Sequence, residues 1–226
     1  MPNHIKNRVT ITGTFENVDS ILSKYSTYVK AGHDLTADEE KIICEKADEF
    51  VGWFDLKNCQ WSTYKEKSGT GFPEGWRLKI NDSYLHFPDF EKIVPMPKVI
   101  KDTIGQPGIN VPWYTWSIEN WGTKWNSYSC ERLSCNVFQF ETAWSNVAEL
   151  LARMTKNNVE IFYEWADEDT GYNCGYAFLR NGTASIHELE GGTREAFELA
   201  FKLHPDHKEY YELVGGKYQS KEEETP

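Results

Sequence analysis

Apolar and polar positions alternate from the start of the chain. Ile5, Val9 and Ile11 stand against Lys6, Arg8, Thr10 and Thr12, a period of two that predicts a strand with one buried face, closed by Gly13. The period then lengthens. Phe15, Val18, Ile21, Leu22 and Tyr25 line one side of a helix. Further on, Leu133 to Glu141 predicts a second central strand, with Asn136, Phe138 and Phe140 alternating with Val137 and Gln139. Thr142 is placed to cap a helix whose inner face is Trp144, Val147, Leu150, Leu151 and Met154. Val159, Ile161, Tyr163 and Trp165 alternate with Glu160, Phe162 and Glu164. Both faces of that run are partly apolar, which predicts a central strand. Asp167 to Asn173 is the turn after it and Cys174 to Leu179 the returning strand. Asn181-Gly182 makes a tight turn before an edge strand at Ala184 to Leu189. Thr193 caps a last helix with Ala196, Phe197, Ala200 and Phe201 inside.

Between the first helix and these strands the pattern is less regular. An insertion is expected at about residues 31–85. It opens with a capping box, Thr36 with Glu39, and a helix carrying Ile42, Ile43, Ala47, Phe50 and Val51. A Gly-rich turn, Ser68 to Gly75, precedes a hairpin in which Trp76–Ile80 pairs with Tyr84–Phe87 across Asn81-Asp82. Phe90 to Pro97 predicts a short apolar strand ending at Pro95, because proline cannot donate to a ladder. From Lys217 the chain turns polar, and 217–226 is expected to be disordered. The pattern therefore predicts an α+β protein with one domain at 1–216.

Composition changes this picture in two places. Nine Trp are present, and four of them fall in one stretch, Val111 to Asn126, which is too aromatic for an ordinary loop and too polar for a plain core helix. The formal charge of −11 argues against long nucleic acid, since phosphate binding needs a basic footprint. The five cysteines are odd in number, and no leader or long apolar run accompanies them. They predict reduced thiols in a cytoplasmic protein that does not enter a membrane. Cys130 and Cys135 have no second pair at zinc-ligand spacing.

Several stretches carry a family resemblance. They are Pro2-Asn3-His4; Lys92-Ile93-Val94-Pro95-Met96-Pro97; Trp116 with Asn120-Trp121-Gly122-Thr123-Lys124-Trp125-Asn126; Phe140-Glu141-Thr142-Ala143-Trp144-Ser145; and Ala166-Asp167-Glu168-Asp169 with Gly171, Asn173 and Gly175. In this order the chain resembles the Api92-like proteins with a YubB-type ferredoxin-like domain, which occur on phages and plasmids. The likeness covers about residues 1–28 and 87–181. It implies a ferredoxin-like antiparallel sheet with helices packed on one face, to which 31–85 adds a helix and hairpin. It implies no catalytic residue, and fold alone gives no function.

The candidate chemistry lies mainly in the aromatic stretch. Trp121 and Trp125 are four apart, a spacing that can share a helix face. Their rings either wedge a helix against the sheet or form a platform on which bases stack. In the second reading Trp116, Asn120, Trp121, Thr123, Lys124 and Trp125 bind a ligand, and His4 joins them because it belongs to a shared motif. Gly122-Thr123-Lys124 would then meet a phosphate, although its context is not that of a P-loop. Asp167 to Asn173 resembles the start of a calcium loop but misplaces its glycine and lacks the closing Glu, so an acidic turn is expected. His204-Pro205-Asp206-His207 predicts a helix stop. No nucleophile stands in a catalytic motif. The expectation is a non-catalytic binding protein of a mobile genetic element in the bacterial cytoplasm, with no cofactor and no metal. Its partner would be a small nucleotide such as a host immune signal. The alternatives are an acidic inhibitor of a host protein and a nucleotide-processing enzyme. The sequence leaves room for a homo-oligomer.

Overall fold

The computed structural model describes residues 3–31, 61–64, 77–80, 82–105, 111–156 and 159–221. The chain divides into two compact units. One is Met1–Thr27 with His86–Pro226, and the other is Tyr28–Leu85. In chain order β1 (His4–Thr12), α1 (Phe15–Tyr25), β2 (Thr27–Ala31), β3 (Trp61–Tyr64), β4 (Arg77–Ile80) and β5 (Asp82–His86) come first. Then follow α2 (Phe90–Ile93), α3 (Lys98–Lys101), α4 (Pro112–Trp121), β6 (Tyr128–Arg132), β7 (Val137–Ala143) and α5 (Ala148–Ala152). The last elements are β8 (Glu160–Asp167), β9 (Gly175–Arg180), β10 (Thr183–Glu188), α6 (Arg194–Leu203), a 3-10 turn at Pro205–Tyr210, β11 (Tyr211–Val214) and β12 (Lys217–Ser220).

The larger unit is built on a six-stranded antiparallel sheet in the order β10-β9-β8-β1-β7-β6. The alternation along β1 decides its inner face. Ile5, Asn7, Val9 and Ile11 are fully buried, while Lys6, Arg8 and Thr10 are only partly so. Register carries that face across the sheet. Val9 lies opposite Phe138 on β7 and Tyr163 on β8, and Tyr163 lies opposite Ala177 on β9. Helices close this side. Phe90 of α2 meets Phe140 edge-on at 6.3 Å, and Trp121 of α4 meets Phe90 at 6.1 Å. Burying each such ring contributes about 1.5–3 kcal/mol.

A polar network sits inside this core and is fully satisfied. The Tyr163 hydroxyl donates to Asn7 Oδ1 at 2.6 Å and accepts from the Val147 amide at 3.1 Å. Asn7 Nδ2 in turn donates to Ile5 O and to Thr142 Oγ1. Burial holds the Tyr163 hydroxyl far above its ordinary pKa, so it stays a phenol. A network with every member paired rigidifies the strands it joins.

The α+β class and the ferredoxin-like sheet expected from the sequence are present. The helices, however, are not confined to one face. Ala166 points to the side opposite Ile5 and forms a small core with Ala196, Ala200 and Leu203 of α6 and with Cys174. Lys202 of α6 pairs there with Glu164, which is almost buried. The strong amphipathicity of α6 allows this, because it brings its own apolar stripe to the outer face of the sheet.

Four further expectations are corrected. Phe90–Ile93 is a helical turn, not a strand, since the Asp89 carboxylate caps it by accepting from the Glu91 amide. Thr142 lies inside β7 and caps nothing; its hydroxyl is used by Asn7 and by Ser145 O, and α5 begins only at Ala148. β4 pairs with β3, and β5 with β2, so the two runs around Asn81-Asp82 are not partners in one hairpin. Lys217–Ser220 is a strand paired with β11 across Gly215-Gly216, in place of a disordered tail. Its anchor is aromatic: Tyr218 and Tyr211 pack on Phe197 and Phe201 at 5.0–5.8 Å. The capping box at Thr36, the turn at Ser68–Gly75 and residues 222–226 lie outside the described residues.

Candidate functional site

The start of β1, the ends of β7 and β8, the turn after β8 and the segment after α4 converge at one end of the sheet. β1 brings His4 opposite Ala143 and Ile5 opposite Asp167. The Trp144 amide donates to Asn3 O, and the Glu168 amide to His4 O. Asp167 is buried and its carboxylate is spent on three donors: Asn3 Nδ2 at 3.2 Å, Asn173 Nδ2 at 2.8 Å and the Asp169 amide at 3.0 Å. The acidic run 167–169 therefore serves as a turn that ties strands together. Among the described residues no group of three His, Cys, Asp or Glu is placed to hold a metal.

Local chemistry explains how the aromatic stretch reaches this end. Pro112 starts α4 at the position where its missing N–H costs nothing. Gly122 ends the helix in the left-handed region, at φ 78°, which a residue with Cβ adopts only at a cost. The next residue is a latch. Thr123 is fully buried; its hydroxyl donates to Ala143 O at 2.8 Å and accepts from the Ala143 amide at 3.1 Å. The latch places Lys124 next to Trp144, the neighbour of Ala143.

Lys124 then lies between two indoles. Its ammonium is 4.6 Å from the Trp125 ring centroid and 5.3 Å from that of Trp144, both within cation–π range. Trp125 is 37% exposed and Trp144 39%, so large ring surfaces face solvent. Trp144 is held there at φ 68°, a left-handed conformation rare for a bulky residue. Trp125 meets Tyr128 edge-on at 6.2 Å, and the Tyr128 hydroxyl lies 2.7 Å from His4 Nδ1. Burial, then the Glu141 and Glu168 carboxylates, push the Tyr128 hydroxyl up to about 12, so it remains neutral. The cluster thus joins a cation, three rings, an imidazole and two carboxylates.

The residues expected from sequence divide into two sets. Lys124, Trp125 and His4 belong to this exposed cluster. Trp121 does not: it is 5% exposed, donates through Nε1 to Val94 O and packs on Phe90. Trp116 meets Trp121 edge-on at 5.2 Å, and Asn120 bonds back to Trp116 O within the helix. Thr123 is the latch. Trp121 and Trp125 share no helix face, because α4 ends at Trp121. Trp144 and Tyr128 were missed. Trp144 stands in a stretch that carries the resemblance, which was the available signal; nothing in the sequence marked Tyr128.

A second group superficially resembles a nucleophile site. Ser127 Oγ is 3.0 Å from His86 Nε2 and 3.4 Å from Cys130 Sγ. The hydroxyl proton, though, goes to Pro88 O, a pure acceptor. His86 must therefore donate to Ser127, the reverse of general-base activation. Burial also pushes the Cys130 thiol up, away from the thiolate. The group is a joint: Asn126 Nδ2 donates to Asp89, and Asp89 also accepts from the Thr27 hydroxyl.

No curated protein and no solved structure matches the chain. Residues 120–205 match the family model described as the ferredoxin-like domain in Api92-like protein. The matched stretch runs from the end of α4 through β6–β10 to α6, and so contains most of the sheet and all of the cluster except its β1 residues. Through this segment the chain is similar to the Api92-like proteins that carry a ferredoxin-like domain.

Proposed function

We propose that the protein is a non-catalytic binding protein that holds a small nucleotide on the cluster of Lys124, Trp125 and Trp144. It would act for a mobile genetic element in the cytoplasm of a bacterial host, where removing a nucleotide immune signal counters defence. The observation that carries this reading is the Lys124 ammonium held between two exposed indoles. An ammonium offers a charge-assisted bond to phosphate, and the ring faces offer stacking to a base. The carboxylates Glu141 and Glu168 beside Tyr128 repel a second anion. They favour the phosphate at Lys124 and the base towards Tyr128 and His4.

A thermal-shift panel of mono-, di- and cyclic nucleotides tests the reading. At least one class should raise the melting temperature of the wild-type protein, and Lys124→Ala should abolish the rise. No shift with any of them removes the proposal. A second reading, an acidic inhibitor of a host protein, is favoured by the net charge of −11. It expects a stoichiometric basic protein partner, released by salt and indifferent to Lys124→Ala. An enzymatic reading finds less support, because the Ser127 and Cys130 environments disfavour nucleophilic activation.

A further inference from the structure

The outer face of an antiparallel sheet is normally polar where it meets water. Here β8, β9 and β10 carry four rings on that face. Phe162, Tyr176, Phe178 and His187 all lie opposite in direction to Tyr163, Ala177 and Leu179, which fill the core. The rings form one continuous cluster. Phe162 is 5.2 Å from Phe178 and 6.0 Å from Tyr176, and Tyr176 stacks on His187 at 5.0 Å and 18°. α6 covers this face at the Glu164–Ala166 end of β8 and beside Arg8 of β1. Phe178 is left 54% exposed and His187 is exposed.

We propose that this face binds unpaired nucleic acid, with bases stacked on Phe178, Tyr176 and Phe162. The proposal is independent of the Lys124 site. Its occupant follows from the chemistry of the face. The outward positions of β8, β9 and β10 carry no Leu, Ile, Val or Met; besides the rings and Ala166 they are Glu160, Glu164, Arg180, Thr183 and Ser185. Rings among hydroxyls and a guanidinium match planar bases with polar edges, which stack on aromatic faces. Arg180 is 69% exposed and pairs with the exposed Glu160, a surface pair that a phosphate readily replaces. Glu164 is neutralised by Lys202. The charge of −11 excludes a mode driven by phosphates, and stacking needs few of them. With one or two contacts, log K should fall against log salt with a slope of only about −0.7 to −1.4.

The test is fluorescence anisotropy of short labelled single strands, RNA and DNA, with a blunt duplex of the same sequence as control. The wild-type chain should bind single strands, with that shallow salt slope, and ignore the duplex. Phe178→Ala should weaken binding about 5- to 150-fold, as expected for one lost stacking contact. Phe178→Tyr should keep it; binding abolished by Lys124→Ala but unaltered in Phe178→Ala assigns the strand to the Lys124 cluster and overturns the proposal. Absence of single-strand binding at the highest soluble concentration overturns the proposal. So does equal binding of the duplex, or an unaltered Phe178→Ala. Sedimentation that shows a wild-type oligomer dissolved by Phe178→Ala also overturns it, and gives the face to a second copy of the chain.

Discussion

Replacing Thr123 by valine keeps the shape of the side chain and removes its hydroxyl. That hydroxyl makes two bonds to one residue, donating to Ala143 O and accepting from the Ala143 amide, and both residues are fully buried. Two lost bonds contribute about 0.5–1.5 kcal/mol each, and an orphaned buried N–H adds a desolvation cost of about 1–3 kcal/mol. The expected loss of stability is about 2–4 kcal/mol, counting partial relaxation. For a chain of this size it corresponds to a fall of roughly 4–16 °C in Tm. Thr123→Ser keeps both bonds and removes one methyl, at about 0.8 kcal/mol. Urea unfolding measures the difference, and amide exchange at Ala143 reports the latch directly. Because residues 123 and 143 adjoin Lys124 and Trp144, Thr123→Val should also weaken any ligand that depends on Lys124. A Thr123→Val protein within about 0.5 kcal/mol of wild type, with Ala143 still protected, would refute the reasoning.

Three other outcomes follow from the same geometry. The Tyr128 hydroxyl is raised to about 12 from an ordinary 10, so the folded state keeps its proton after the unfolded chain has lost it. Its stabilising effect is therefore complete below pH 10 and is lost as the pH climbs from 10 towards 12; urea unfolding across that range should fall less steeply in Tyr128→Phe. Gly175→Ala places a Cβ 2.4 Å from His187 O and 2.6 Å from the Trp165 ring, neither of which can retreat easily. It should cost about 1–3 kcal/mol or more, seen as lowered Tm and reduced soluble yield. Lys124→Ala should leave Tm without ligand within about 1 kcal/mol equivalent of wild type, since its contacts are with two partly exposed rings.

Periodicity revealed the strands of the sheet because most of their inner positions answer to burial. Ile5, Val9 and Ile11, then Ile161, Tyr163 and Trp165, repeat every second residue and all point into the core. It failed where side-chain bonds overrule pattern. Phe90–Ile93 became helical through the Asp89 cap, and Thr142 was drawn into β7 by Asn7, which left Trp144 at a bend. The same limit applies to the site. Richness in Trp singles out the stretch, but composition cannot separate a buried indole from an exposed one four residues later. The left-handed Gly122 makes that separation, by ending the helix between Trp121 and Trp125. Tyr128 joins the cluster only through the pairing of β6 with β7 opposite Glu141, a contact between distant parts of the chain.

The joint around Asp89 bears on how the chain tolerates change. Asp89 accepts from the Thr27 hydroxyl, and its amide donates to Tyr25 O, so the two points where the segment Tyr28–Leu85 leaves and rejoins the larger unit are fastened to each other within that unit. Closing a loop between fixed ends costs only about 0.6 kcal/mol more for each doubling of its length. The segment is thus a cassette on a closed clasp. It can be lengthened, shortened or exchanged with little penalty to the sheet, and relatives would be free to carry different cargo at this position while keeping the same aromatic cluster.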